Sequence, residues 1–94
     1  MRKDSILVVE DENVARKNLE HILKKEGYDI ISTDSGEKAL ALLKEQAFDL
    51  VITDFRMEKV DGMQVLEQSR TLHPLTEVIM ITGYATVDLA VRSM

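Results

Sequence analysis

Cysteine is absent from this 94-residue sequence, which excludes disulfides and thiolate metal sites outright. No apolar run approaches the roughly 18 residues that a membrane-spanning helix needs. A signal peptide's apolar core is lacking too, because Met1-Arg2-Lys3-Asp4 leads straight into a short β-branched run. Clusters of Lys and Arg do not dominate: 12 basic residues are outnumbered by 17 acidic ones, and the net charge is −5. A nucleic-acid surface, which neutralises phosphates with such clusters, is therefore not expected on this piece. There is no repeat, linker or low-complexity segment, and only 1 proline. With 45% hydrophobic and 31% charged residues, the expectation is one small globular domain in a cytoplasmic setting, without membrane contact.

The runs that are present alternate between short and β-branched and longer with helical spacing, which predicts a parallel sheet with crossover helices. A strand is expected over Ile6 to Val9, then a helix with Val14, Ala15, Leu19, Ile22 and Leu23 on one stripe and Gly27 as its stop. Tyr28 to Thr33 is more polar, as suits an edge strand. Asp34, with Glu37 three residues on, reads as a capping box ahead of a helix that buries Ala39, Leu40 and Leu43. Phe48 leads into a strand ending at Asp54. Asp61-Gly62 opens a helix carrying Met63, Leu66, Ser69 and Arg70, which His73-Pro74 ends. Val78-Ile79-Met80-Ile81 is apolar throughout and predicts a strand covered on both faces. Thr86 caps a last expected helix, with Val87, Ala90, Val91 and Met94 as its stripe. A four-stranded sheet ending on that helix leaves an outer edge unpaired, which predicts a fragment or association through the edge, for instance as a homodimer.

The chemistry is in the acids. Glu10 and Asp11 end the first apolar run, and Asp54 ends the third. In an open parallel sheet the C-terminal ends of the strands line one crevice, where ligands bind. Three carboxylates converging there repel one another unless a cation offsets their charge. The economical reading is a hard divalent cation beside one carboxylate able to act as a nucleophile. Each element alone has a plainer reading. Glu10-Asp11-Glu12 also suits a solvated helix start, Asp54 a loop cap, Thr82 an ordinary strand end and Asp61-Gly62 a structural turn. His21 and His73 lack partners at metal spacing and read as surface residues. Arg16, Lys17, Lys24 and Lys25 read as a solvated helix face.

The ordered set Glu10-Asp11, Asp54, Asp61-Gly62 and Thr82-Gly83 resembles the receiver domain of bacterial two-component response regulators over the whole chain. The resemblance implies an open parallel α/β sheet of the flavodoxin- and CheY-like type, in order 2-1-3-4, truncated before its fifth strand and last helix. The whole chain, 1–94, would be one C-terminally incomplete receiver. Asp54 matches the aspartate that accepts a phosphoryl group from a sensor histidine kinase. Asp11 matches a direct Mg²⁺ ligand, Glu10 its acidic neighbour, and Arg56 the residue lending a backbone carbonyl to the metal. Thr82 matches the switch hydroxyl and Gly83 a further phosphoryl contact, with Tyr84 beside the pocket. Glu58 replaces the proline the family commonly has there, and the family's lysine and aromatic switch residue belong to a fifth strand absent from this sequence. Thr82-Gly83-Tyr84-Ala85-Thr86 and the residues after it are similar to receivers of the NtrC type. That likeness implies an AAA+ output that activates sigma-54 transcription, with a DNA-binding domain, both outside this chain.

Other functions compete. A haloacid-dehalogenase-type phosphatase also uses a strand-end aspartate, but wants a second acid where Arg56 stands. Flavin binding on the same sheet needs a phosphate-cradling loop after the first strand, and Glu10-Asp11-Glu12-Asn13 is negative there. A truncated receiver acting only as an association module is the remaining alternative.

Overall fold

Four short runs form parallel strands in the computed structural model, which describes residues 4–57 and 59–81. They are β1 (Ser5–Val9), β2 (Asp29–Thr33), β3 (Leu50–Asp54) and β4 (Glu77–Ile81). The helices between them are α1 (Asn13–Lys25), α2 (Gly36–Glu45) and α3 (Gly62–Leu72). The sheet runs β2-β1-β3-β4, the order the resemblance implied, with β2 at an edge as its polarity suggested.

Strand parity sorts the core into two layers, because alternate side chains leave opposite faces of a sheet. Leu7, Val9, Val51, Val78 and Met80 face α2 and α3, where Ala39, Leu43, Val65 and Leu66 close over them. Ile6, Val8 and Ile52 face the other way, onto Leu19 and Leu23 of α1. Central strands buried on both sides must be apolar at every position, and β1 and β3 nearly are.

Four expectations need correcting. β4 is not covered on both faces among the described residues: Val78 and Met80 are buried, but Ile79 is 43% exposed. Parity turns Ile79 toward the α1 side, and α1 packs over β1 and β2 instead. On α1 itself Ala15, Leu19 and Leu23 are half-buried while Val14 and Ile22 are exposed, because one helix over a sheet contacts it along a narrow line. The cap of α2 is Ser35, whose hydroxyl accepts from the Lys38 N–H, while Asp34 pairs with the Lys38 ammonium at 3.0 Å. A shorter side chain one residue nearer the helix wins the cap. His73 is no bare surface residue: its Nε2 lies 2.7 Å from the Leu43 carbonyl oxygen, tying the end of α3 to α2. The helix expected after Thr86 lies outside the described residues.

Candidate functional site

Register delivers the acids to one place. Val9 pairs with Thr33 on one side and Thr53 on the other, so Glu10 and Asp54, each one residue further on, leave the sheet at the same level. One carboxylate oxygen from each of Glu10, Asp11 and Asp54 lies within 4.8 Å of the others. Their surroundings differ. Glu10 is only 9% exposed, Asp54 is half-buried and Asp11 is open to solvent. Beside Asp11 a cleft of about 300 Å³ is lined by Asp34, Ser35 and Met57.

Burial pushes the Glu10 carboxyl up to about 7, against the lowering effect of the Glu12 N–H that donates to it at 3.1 Å. Its contacts with the Asp11 and Asp54 carboxyls contribute to that rise. Desolvation and like charge both disfavour the ionised form, so a glutamate here holds a proton near neutrality. A cation displacing that proton would relieve both costs at once. The donor set is oxygen only, which suits a hard divalent ion and not a thiophilic one.

The turn that carries these acids is stitched in place. The Glu10 N–H donates to the Thr33 carbonyl at 3.1 Å. Glu12 caps α1, its side chain accepting from the Ala15 N–H at 2.7 Å. Arg16, expected on a solvated face, is half-buried and donates from Nη1 to the Glu10 carbonyl oxygen at 3.0 Å. The signal for that contact was available in principle. Side chains on a helix tilt toward its N-terminus, so a long one at the end of the first turn reaches back over the entry turn.

The loop after Asp54 is held by close backbone approach. The Gly62 N–H donates to the Phe55 carbonyl at 2.8 Å. A Cβ on Gly62 would stand 2.5 Å from the Asp54 carbonyl oxygen and 2.9 Å from the Phe55 Cα, so only glycine seats α3 against the strand end. Asp61 caps α3 in a full capping box with Gln64, as the Asp-Gly signal suggested. Arg56 sits on this loop with its side chain exposed. Thr82, Gly83 and Tyr84, and Glu58 in the loop, lie outside the described residues.

The response regulator receiver domain model matches residues 6–94. The response regulator protein FleR of Pseudomonas aeruginosa is 40% identical over 89 residues, covering 95% of this chain and 19% of that protein. The transcriptional regulatory protein ZraR of Escherichia coli K12 is 37% identical over 89 residues, 95% of this chain and 20% of its own length. This chain thus spans about a fifth of the curated relatives it matches. Among solved structures, response regulator protein TrrA of Thermotoga maritima in complex with Mg²⁺-BeF superposes with a TM-score of 0.84 at 34% identity, covering 96% of this chain and 80% of that one. Sheet order, the acids at adjacent strand ends and a family match over nearly every residue agree. The chain belongs to the response regulator receiver domain family.

Proposed function

We propose that Asp54 is the residue that accepts a phosphoryl group from the phosphohistidine of a sensor histidine kinase, with Glu10 and Asp11 holding Mg²⁺ beside it. One observation carries the reading: the carboxylates of Glu10, Asp11 and Asp54 meet within 4.8 Å at the sheet's C-terminal edge. TrrA, a relative by fold and sequence, was solved with Mg²⁺-BeF. Magnesium, when bound, offsets the negative charge of the carboxylates and of an arriving phosphoryl group.

The rest is the work of this chain's own groups. An Asp54 carboxylate oxygen attacks phosphorus in line, an acyl-phosphate bond forms, and the phosphorus–nitrogen bond of the donor breaks with the electron pair leaving on imidazole. The half-buried setting of Asp54 leaves its tip open to the donor while its backbone stays fixed by the sheet, Asp54 pairing with Ile81. The Arg56 backbone carbonyl would lend the metal a further oxygen. Thr82 and Gly83 receive the phosphoryl oxygens, and the differential contact of Thr82 with the phosphorylated state shifts the segment after β4. This is a regulatory phosphoacceptor, with hydrolysis of its own acyl phosphate as the only turnover.

The one-fifth coverage of the regulators it resembles supports reading the chain as the receiver segment of a longer cytoplasmic protein. Its output is a transcriptional one of the NtrC kind, with AAA+ and DNA-binding parts outside this sequence. Labelled phosphoryl transfer to the full-length protein, from acetyl phosphate or a cognate kinase, tests the assignment. Uptake is expected to require Mg²⁺ and to vanish in Asp54→Asn; label retained in that variant, on an acid-stable or different residue, would remove Asp54 from the role.

A further inference from the structure

Among the described residues, Arg16 is the one cation whose side chain grips the backbone of the acidic turn. Its Nη1 donates to the Glu10 carbonyl oxygen at 3.0 Å, and its Nη2 donates to the Asn13 side-chain oxygen. Its own backbone N–H closes the first turn of α1 onto the Glu12 carbonyl at 3.0 Å. The guanidinium therefore spans the whole entry segment, from the end of β1 to the first helical residue. Nearby acids are engaged elsewhere: Asp34 with the Lys38 ammonium at 3.0 Å, and Glu20 with the Ser32 hydroxyl at 2.6 Å. These groups share a cleft of about 350 Å³ with Arg16, Thr33 and Lys38.

We propose that Arg16 is a positioning residue for the metal site: its fork fixes the direction in which Glu10 and Asp11 leave β1, and so sets the affinity for Mg²⁺. The inference rests on reading Glu10, Asp11 and Asp54 as the Mg²⁺ site. Two effects of Arg16 oppose each other, which makes the idea decidable by sign. As a positive charge on the acidic turn it competes with the metal, so its removal would tighten binding. As the clamp on the turn it preorganises the ligands, so its removal loosens binding. Screening weakens the first effect, since charge interactions that solvent reaches are damped over about 8 Å at physiological ionic strength. The second is geometric and survives salt. Groups that orient metal ligands typically matter by 10–100-fold in affinity.

Titration calorimetry of Mg²⁺ on the chain, in about 0.15 M salt, compares wild type with Arg16→Gln and Arg16→Lys. Gln is expected to weaken binding about 10-fold. Lys keeps the charge but cannot satisfy two acceptors in a planar fork, and is expected to fall between. The metal-free protein offers a second readout. The Glu12 amide, which donates to the Glu10 carboxylate at 3.1 Å, should shift in the ¹H–¹⁵N spectrum of both variants while the Val8 and Ile52 amides hold. Gln binding as tightly as wild type, or tighter, overturns the positioning role and leaves the metal site standing. A Lys variant with wild-type affinity overturns the fork. Wild-type protein that binds no Mg²⁺ overturns both readings together.

Discussion

Among the described residues, Glu10 is the one whose proton balance departs furthest from its ordinary range. Its carboxyl is raised from 4.5 to about 7, chiefly because folding takes it out of water. The folded state therefore holds a proton that the unfolded chain has already lost across that interval. Stability rises with pH only where the unfolded state binds more protons, and here the sign is opposite. Glu10's contribution is fully present below about 4.5, declines as pH rises, and is gone above about 7. Urea denaturation of the metal-free protein between those values should show this decline, and Glu10→Gln should flatten it. Saturating Mg²⁺ should flatten it too, since the cation replaces the proton. Calorimetry near neutrality in buffers of different ionisation enthalpy should then report proton release on metal binding. The groups around Glu10 are Asp11, Asp54 and the Arg16 guanidinium.

At the scale of the element, the segment from Asp54 to α3 combines a tight fit with a strained residue. Gly62 sits where any side chain meets the backbone of Asp54, so Gly62→Ala must move either α3 or the end of β3. Overpacking of this kind costs about 1–3 kcal/mol. Lys59 is the opposite case, with φ of 63° in the left-handed region that side chains resist. Its ammonium reaches Glu37 at 3.8 Å with both side chains largely exposed, a weak return. Lys59→Gly should stabilise by about 1 kcal/mol, the relief of left-handed strain less the added freedom of the unfolded chain. Urea midpoints of the two variants should move in opposite directions. The same loop is stapled to the start of α2, where a Cβ on Gly36 would stand 2.3 Å from the Val60 carbonyl oxygen.

For the molecule as a whole, the described helices seal the two faces of the sheet unequally. α2 and α3 bury Ala39, Leu43, Val65 and Leu66 almost completely, whereas no residue of α1 is fully buried. Removing a side chain from a closed layer leaves a cavity, while a half-exposed one is replaced by water. Leu43→Ala should therefore cost about 2–5 kcal/mol and Leu23→Ala clearly less. Equal losses in thermal or chemical denaturation would mean that α1 is as well packed as its opposite layer.

The sequence alone determined the alternation of strands and helices, the strand ends and the acids upon them. Each of those is written in local terms: β-branched runs, 3.6-residue stripes, a glycine or proline as a stop. The resemblance carried the sheet order. What only tertiary structure decided concerns neighbours far apart in the chain. Register set Glu10 level with Asp54 across 44 residues of sequence. The position of α1 over β1 and β2 left Ile79 exposed on a strand that reads as wholly buried. Arg16, by contrast, is a local case: a helix side chain leaning toward its N-terminus reaches the Glu10 carbonyl, a contact that its place in the first turn foreshadowed. Periodicity reports which face a side chain occupies; it cannot report what stands opposite that face, and the chemistry of the site is made there.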